Sequence, residues 1–345
     1  MSSDKRIAII GAGGIGGNVG GALSHAGFDV TLIDQWPEHI EAIKRDGLTV
    51  TRLEDSLHAR PRALHIHEVQ QCATPFDYVF VSVKAYDTEW ATILMRPHLA
   101  NDGAFVDFQN GINDETVAAI VGRENTLGAI VVIGAACYEP GTVVRTDNNP
   151  IGFKIGELDG KDSTRAQALA SMLGHVAKSG VTTNLWGERW SKLMINTMNN
   201  GVAGLTGWGT SEVRELPEPR RVGIQLGAET VLVAKALGYD LEPVLNVDPD
   251  ALVDAARGRN VQEVEASIAA AGKFAVGGRP SLLQDTLKGR RTEIEHLNGL
   301  VSAKGREVGV PTPFNDRIVE VVNALGVGFT PAPEHLKPLT DMLPG

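Results

Sequence analysis

A strand, three glycines and an acid near the start of the sequence constrain this chain more than any other stretch. Ile7, Ala8, Ile9 and Ile10 form a short apolar run, Gly11, Gly13 and Gly16 follow at once, and an amphipathic segment runs to Ala26. A second β-rich run, Val30 to Ile33, closes with Asp34, 23 residues after Gly11. The order is that of a dinucleotide-binding crossover unit. Gly11 permits the turn, Gly13 lets the backbone approach a pyrophosphate at the positive end of the helix, and Gly16 lets that helix pack close to the strand. Asp34 is placed to hold a ribose hydroxyl. A glycine triplet alone would be weak in a chain with 39 glycines, where Gly14 and Gly17 could mimic other registers. Its setting, after a strand pattern and at the right distance from an acid, makes it specific.

The 345 residues suffice for two ordinary domains, and 43% apolar content suffices for their cores. A formal charge of −10, from 32 basic and 42 acidic side chains, argues against nucleic acid or an anionic membrane as partner and leaves small molecules. Cys72 and Cys137 are too few for a disulfide framework and are not spaced as metal ligands. The polar start leads straight into a core strand, and no apolar run approaches the twenty or so residues that span a bilayer. The expectation is a cytoplasmic protein acting on a small-molecule substrate, without nucleic-acid or membrane partners.

Strand and helix patterns alternate from Ile7 to Leu185. A helix is expected over Glu38 to Arg45, and strands over Leu48 to Leu53 and Ala63 to His67. His65 and His67 share a strand face, as two metal ligands could, but no Cys or suitably spaced carboxylate completes a set, and no metal is expected. Asp77 to Val83 reads as a strand buried on both faces, with Lys84 directly at its carboxyl end, the edge where open α/β sheets bind ligands. After a helix over Thr88 to His98, Ala104 to Phe108 is another such strand, ending in Gln109, Asn110 and Gly111. The Asn110 amide can donate and accept at once. Strands follow at Leu127 to Ile133, Thr142 to Arg145, Ile151 to Ile155 and Val181 to Leu185, with a helix over Ser163 to Lys178. Beyond Trp186 the patterns are helical: Glu188 to Leu205, Arg220 to Leu237, Pro249 to Ala256, Val261 to Phe274, Leu283 to Val308 and Phe314 to Leu325. The fold class is therefore α/β, with a Rossmann-type doubly wound sheet in residues 1–185 and an all-helical domain in residues 186–345.

On the helix over Glu188 to Leu205, Lys192, Asn196 and Asn200 recur every four residues, which places them within about 80° of one another. A cation backed by neutral amides suits a site where one proton donor stands near a reacting oxygen and amides orient that oxygen. The stretch from Arg279 to Asn298 is also dense, with Ser281, Gln284, Asp285, Arg290, Thr292, Glu293, Glu295 and Asn298. An ion-paired face and a Ser281 helix cap would explain parts of it equally well, and spacing alone selects no acid from the set.

Taken together, the glycine motif, Val83-Lys84, Gln109-Asn110-Gly111, the lysine helix, Arg279-Pro-Ser-Leu-Leu-Gln-Asp, Thr292-Glu293-Ile-Glu and Asn298-Gly299 resemble the ketopantoate reductase (2-dehydropantoate 2-reductase) family. The match runs from Ile7 to about Asn315. The resemblance implies a nucleotide domain followed by a helical domain, with the active site in the cleft between them. It implies Lys192 as the general acid that protonates a ketone oxygen as hydride arrives from nicotinamide, and as base in reverse. Asn196 and Asn200 would hold the reacting oxygen and hydroxyl groups, Ser281 the substrate carboxylate, and Glu293 a substrate hydroxyl while orienting the lysine. Asn110 and Lys84 would contact the cofactor, and a homodimer is expected.

Two departures from the family pattern matter. Where NADPH-using members carry an arginine past the second strand, this chain has Asp34-Gln35, so NAD(H) is expected over NADP(H). The span from Tyr239 to Gly278 is longer than in compact members and rich in acids, so ketopantoate itself is not assumed. The leading expectation is hydride transfer on a 2-oxo acid or its hydroxy counterpart. The alternatives are a related NAD-dependent dehydrogenase of another alcohol, hydroxy acid or amino or imino acid, and a nicotinamide redox sensor, which would need Asp34 but no Lys192.

Overall fold

A computed structural model describes residues 5–147, 151–273, 275 and 277–344. They fall into two compact units, Met1–Leu185 and Trp186–Gly345.

In the first unit the apolar runs become strands β1 (Arg6–Ile10), β2 (Asp29–Asp34), β3 (Leu48–Thr51), β4 (Ser56–Ala59), β5 (Arg62–His65), β6 (Phe76–Val81), β7 (Leu99–Asp107), β8 (Thr126–Val131), β9 (Ala135–Glu139), β10 (Thr142–Arg145), β11 (Ile151–Glu157) and β12 (Lys178–Val181). Eight of them form one sheet in the order β12-β11-β8-β7-β6-β1-β2-β5. From β5 to β8 every pairing is parallel, β11 runs antiparallel to β8, and β12 is parallel to β11. Alternate side chains of β1 enter different cores. Ile7 and Ile9 join Leu32, Phe80 and Val106 on one face, and Ala8 and Ile10 join Val79, Val81 and Phe105 on the other. Helices α1 (Gly14–His25), α2 (Pro37–Asp46) and α5 (Thr164–Leu173) contribute to the first core, and α3 (Thr88–Met95) and α4 (Asp114–Val121) to the second. Burial on both faces is what makes these strands read as unbroken apolar runs.

A second sheet, β4-β3-β10-β9, lies against α1. Glycines make this possible on both sides of the helix. A Cβ on Gly16 would stand 1.9 Å from the Gly11 carbonyl oxygen, and one on Gly20 2.5 Å from Leu32 Cδ2, so these residues face the large sheet. On the other side, Cβ atoms on Gly14, Gly17 and Gly21 would meet the Ala135 carbonyl oxygen at 2.6 Å, Val143 Cγ2 at 2.7 Å and Val50 Cγ2 at 2.6 Å.

The second unit is built from α6 (Leu185–Thr206), α7 (Thr210–Glu215), α8 (Pro217–Ala236), α9 (Pro249–Ala256), α10 (Val261–Gly272), α11 (Ser281–Leu287), α12 (Asn298–Val308), α13 (Pro313–Leu325) and α14 (Lys337–Thr340). Among the described residues, no helix is long and apolar enough to cross a membrane. The acid-rich span after Tyr239 forms α9 and α10, which pack on α7 and α8. Asp248 caps α9 by accepting from the Asp250 and Ala251 N–H groups. The expected end of the next helix at Phe274 lies outside the described residues.

Three expectations need correction. Val181 to Leu185 is not a strand: β12 ends at Val181 and Leu185 opens α6, so the pairing partner of β11 starts earlier, at Lys178. The periodic stretch from Leu283 to Val308 is not one helix. The chain leaves α11 after Leu287, takes positive φ at Gly289, and re-enters regular α structure only at Asn298. Lys84 is not directly at a strand end, because β6 stops at Val81 and Lys84 comes after two further residues.

A carboxylate holds one helix end in the second unit. Glu229, on α8 and only 7% exposed, accepts from the Phe314 N–H at 2.8 Å, the Asn315 N–H at 2.9 Å and Asn315 Nδ2 at 2.7 Å. The N-terminal amides of α13 thus find their acceptor on another helix. Burial pushes the Glu229 carboxyl up to about 7 in spite of these three donors. A raised value means that the group's contribution to stability is complete below its ordinary pKa of 4.5 and is lost as pH rises toward about 7. Glu229→Gln is accordingly expected to gain on the wild type by ~1–3 kcal/mol between pH 4.5 and 8 in urea denaturation. Parallel pH profiles for the two proteins would contradict this.

Candidate functional site

In the first unit, the carboxyl ends of β1, β2, β6 and β7 bring the expected nucleotide residues to one edge. Gly11 has φ +97°, and a Cβ there would lie 2.5 Å from the Ser82 carbonyl carbon and 2.6 Å from Val83 N, so the turn rests directly on the chain leaving β6. Gly13 precedes α1, and its missing Cβ faces open space, with no atom within 4 Å. Together with the free amides of a helix N-terminus, this opening is a cradle suited to an anion.

Asp34 ends β2 and is half-buried. Its Oδ2 accepts from the Ala12 N–H at 2.6 Å and its Oδ1 from the Trp36 N–H at 2.8 Å. The carboxylate is therefore oriented by backbone on both sides, and each oxygen keeps a further lone pair for a hydroxyl. Just past β7, Gln109 Nε2 donates to the Val83 carbonyl at 2.9 Å, the Gln109 N–H donates to Asp107 Oδ1 at 2.8 Å, and the side chain also bonds Thr88 Oγ1. This buried glutamine ties the loop holding Lys84 to the loop holding Asn110. Asn110 is half-buried, and its carbonyl accepts from Asn113 Nδ2 at 2.9 Å. Spacing had marked Gln109 only as the neighbour of Asn110. Its bonding role depends on Val83 and Thr88, which no local pattern connects to it.

In the second unit, Lys192, Asn196 and Asn200 lie on successive turns of α6. Asn200 Nδ2 donates to Asn196 Oδ1 at 3.3 Å and to the Asn196 carbonyl at 3.2 Å, and Asn200 Oδ1 accepts from Ser281 Oγ at 3.0 Å and from the Leu282 N–H at 3.4 Å. Three of the expected residues are thus joined in one line. Ser281 is not the cap of α11: it is the first residue of that helix, and Asn200 reaches the Leu282 amide from α6. Asn196 Nδ2 is buried and has no hydrogen-bond partner among the described residues. A buried donor left without an acceptor costs about 1–3 kcal/mol, which an incoming oxygen would recover.

Glu293 is only 4% exposed and sits just before a short 3-10 turn, Ile294–His296, rather than within a helix. The nearby His296 imidazole is pushed below its ordinary range by burial, against the opposing pull of Glu293. His65 and His67 do not share a strand face, because β5 ends at His65 and His67 lies in the 3-10 turn Ile66–Gln71. His65 Nε2 lies 2.6 Å from Glu41 Oε1, and the His65 and His67 rings stack at 5.4 Å. Among the described residues, no group of three His, Cys, Asp or Glu side chains could hold a metal ion.

Comparison with known proteins points in one direction. Residues 7–160 match the family model described as Ketopantoate reductase PanE/ApbA, and residues 184–326 match Ketopantoate reductase PanE/ApbA C terminal. A 2-dehydropantoate 2-reductase of Archaeoglobus fulgidus is 28% identical over 327 residues, spanning 94% of this chain and 99% of its own. One of Halobacterium salinarum is 28% identical over 321 residues, spanning 92% and 97%. Among solved structures, the ternary structure of D-mandelate dehydrogenase with NADH and anilino(oxo)acetate is similar with TM-score 0.78 at 25% identity, over 92% of this chain and 97% of that one. A PanE/ApbA family ketopantoate reductase from Ralstonia eutropha shares the fold, with TM-score 0.77 at 24% identity over 93% and 98%.

The two inner glycines are expected to respond differently to a methyl group. Gly16→Ala drives a Cβ into the Gly11 carbonyl and should cost ~2 kcal/mol or more in chemical denaturation, whereas Gly13→Ala, with open space to fill, should stay within ~1 kcal/mol of wild type. Equal losses for both would refute this assignment of the packing.

Proposed function

The chain belongs to the ketopantoate reductase family of oxidoreductases, and from that premise we propose that it moves hydride between a nicotinamide cofactor and a 2-oxo acid or its 2-hydroxy counterpart. The observation that carries this reading is Asn196, one helical turn from Lys192: its buried Nδ2 has no partner among the described residues, while its Oδ1 is linked through Asn200 to Ser281. A polar site with a donor waiting for an oxygen and a lysine beside it suits carbonyl chemistry.

The residues of the first unit fit a nicotinamide dinucleotide. Gly11, Gly13 and Gly16 would hold the pyrophosphate, and Asp34 the adenosine ribose. Lys84 and Asn110 would meet the cofactor toward its reactive end. When bound, that cofactor supplies or accepts the hydride. The Asp34 carboxylate accepts from a free ribose diol and opposes a 2′-phosphate, which supports NAD(H) over NADP(H). D-mandelate dehydrogenase, a structural neighbour solved with NADH, is consistent with this preference and with a 2-hydroxy acid as substrate.

In the second unit Lys192 would give a proton to the ketone oxygen and take one from the alcohol in the reverse direction. Asn196 Nδ2 would donate to that same oxygen, and Asn200 would hold a neighbouring hydroxyl. Ser281 has one O–H, already given to Asn200 Oδ1, so holding a substrate carboxylate would exchange one acceptor for the other. Glu293, buried, would take a substrate hydroxyl and orient the lysine. A nicotinamide sensor without turnover would need the glycines and Asp34 but none of this second set.

Two measurements test the reading. Lys192→Ala should lower kcat by about a hundredfold or more on whichever 2-oxo or 2-hydroxy acid proves active, and retention of turnover within about twofold would remove the lysine from the chemistry. In steady-state assays with both cofactors, kcat/KM for NADH should exceed that for NADPH by at least about tenfold, or ~1.4 kcal/mol. Equal or better efficiency with NADPH would overturn the role given to Asp34.

A further inference from the structure

His39 is fully buried on α2, away from the residues assigned to cofactor or substrate, yet it bonds directly to the glycine loop. Its Nε2 lies 3.0 Å from the Ala12 carbonyl oxygen, and the Gly141 N–H donates to its Nδ1 at 3.0 Å. A backbone amide can only donate, so Nδ1 is unprotonated and the proton sits on Nε2, where it is given to Ala12. Both nitrogens are used, and the tautomer follows from the backbone groups that flank the ring. Trp36 stacks on the imidazole at 5.3 Å, and Cys137 Sγ lies 3.8 Å from Nδ1. Burial lowers the pKa of His39, in keeping with a ring that stays neutral.

The consequence lies in the next peptide group. The Ala12 carbonyl and the Gly13 N–H belong to one planar trans peptide and point in opposite directions. Holding the carbonyl toward His39 turns the Gly13 N–H the other way. The preceding peptide is held too, since the Ala12 N–H is bound to Asp34 Oδ2 at 2.6 Å. Two consecutive peptide planes of the loop are therefore set by side chains from the end of β2 and from α2.

We propose that His39 is a positioning residue for the dinucleotide: its Nε2–H bond to Ala12 aims the Gly13 N–H at the pyrophosphate, and the Gly141 amide keeps the ring in the tautomer that can do so. The proposal rests on the nicotinamide reading above. It also gives the second sheet a part in cofactor binding, because Gly141 is the turn between β9 and β10 and has φ +73°, a conformation that favours glycine.

The test compares His39→Leu, which removes both bonds, with His39→Gln, whose amide can reach Ala12, and His39→Asn, whose shorter amide can serve only Gly141. Each is titrated with NADH, ADP-ribose and adenosine by intrinsic fluorescence, with circular dichroism as the check on folding. The leucine and asparagine variants should weaken NADH and ADP-ribose about tenfold, the worth of one hydrogen bond, and leave adenosine within about twofold. The glutamine variant should recover most of the loss. A general loosening of the unit would weaken all three ligands together and would overturn the proposal, as would folded His39→Leu binding NADH within twofold of wild type. If the variants do not fold, ¹⁵N shifts of the His39 ring in the wild type decide: the proton must be on Nε2, and a proton on Nδ1 refutes the mechanism. Wild-type protein that binds neither NADH nor NADPH would instead remove the functional reading itself.

Discussion

The carbonyl oxygen of Gly11 stands where a side chain on residue 16 would have to be, and the N-terminal unit depends on that close approach of backbone to backbone. It brings α1 down onto β1 and draws the loop between them tight. It also leaves room on the helix's outer face for a second sheet, which rests on Gly14, Gly17 and Gly21 in the same way. A helix so poor in large side chains gains little from its own propensity, and glycine in a helix interior is unfavourable by about 1 kcal/mol relative to alanine. Its stability comes from the two layers that enclose it. The anion cradle at its N-terminus is thus a by-product of packing as much as of the loop.

How much of this was legible in the chain follows from how local each cause is. The parallel strands β1, β2, β6 and β7 are short apolar runs, and burial on both faces writes itself into composition. The second sheet is harder to read. β3, β4 and β10 have four residues each, β9 follows β8 closely, and the sheet exists only because β3 pairs with β10, far along the chain. Gly14 and Gly17 looked like noise around a motif because the surface they pack on is assembled from those strands. In the second unit, apolar periodicity runs on through Gly289 although the helix does not.

The candidate site divides in the same way. Lys192, Asn196 and Asn200 lie on one helix, so their spacing placed them together. Ser281 joins Asn200 across 81 residues of chain, and spacing is blind to that. His39 was invisible for another reason: it bonds two backbone groups, at Ala12 and Gly141, and backbone carries no sequence signature. A shared habit of the second unit is also tertiary. One amide at the start of α11 is met by Asn200 and two at the start of α13 by Glu229, both from other helices. Caps of this kind leave no mark beside the helix they serve.

Asp34, to which the proposed reading gives the ribose, also holds the loop, since its two oxygens take the amides of Ala12 and Trp36. A substitution there is never a change of charge alone. Replacing the carboxylate with a basic or neutral side chain would release two amides and unfasten the Gly11–Ala12 peptide. Redesign of nucleotide preference at this position is therefore a problem in rebuilding a scaffold, and a successful variant would need a new acceptor for the Ala12 amide along with any new partner for a phosphate.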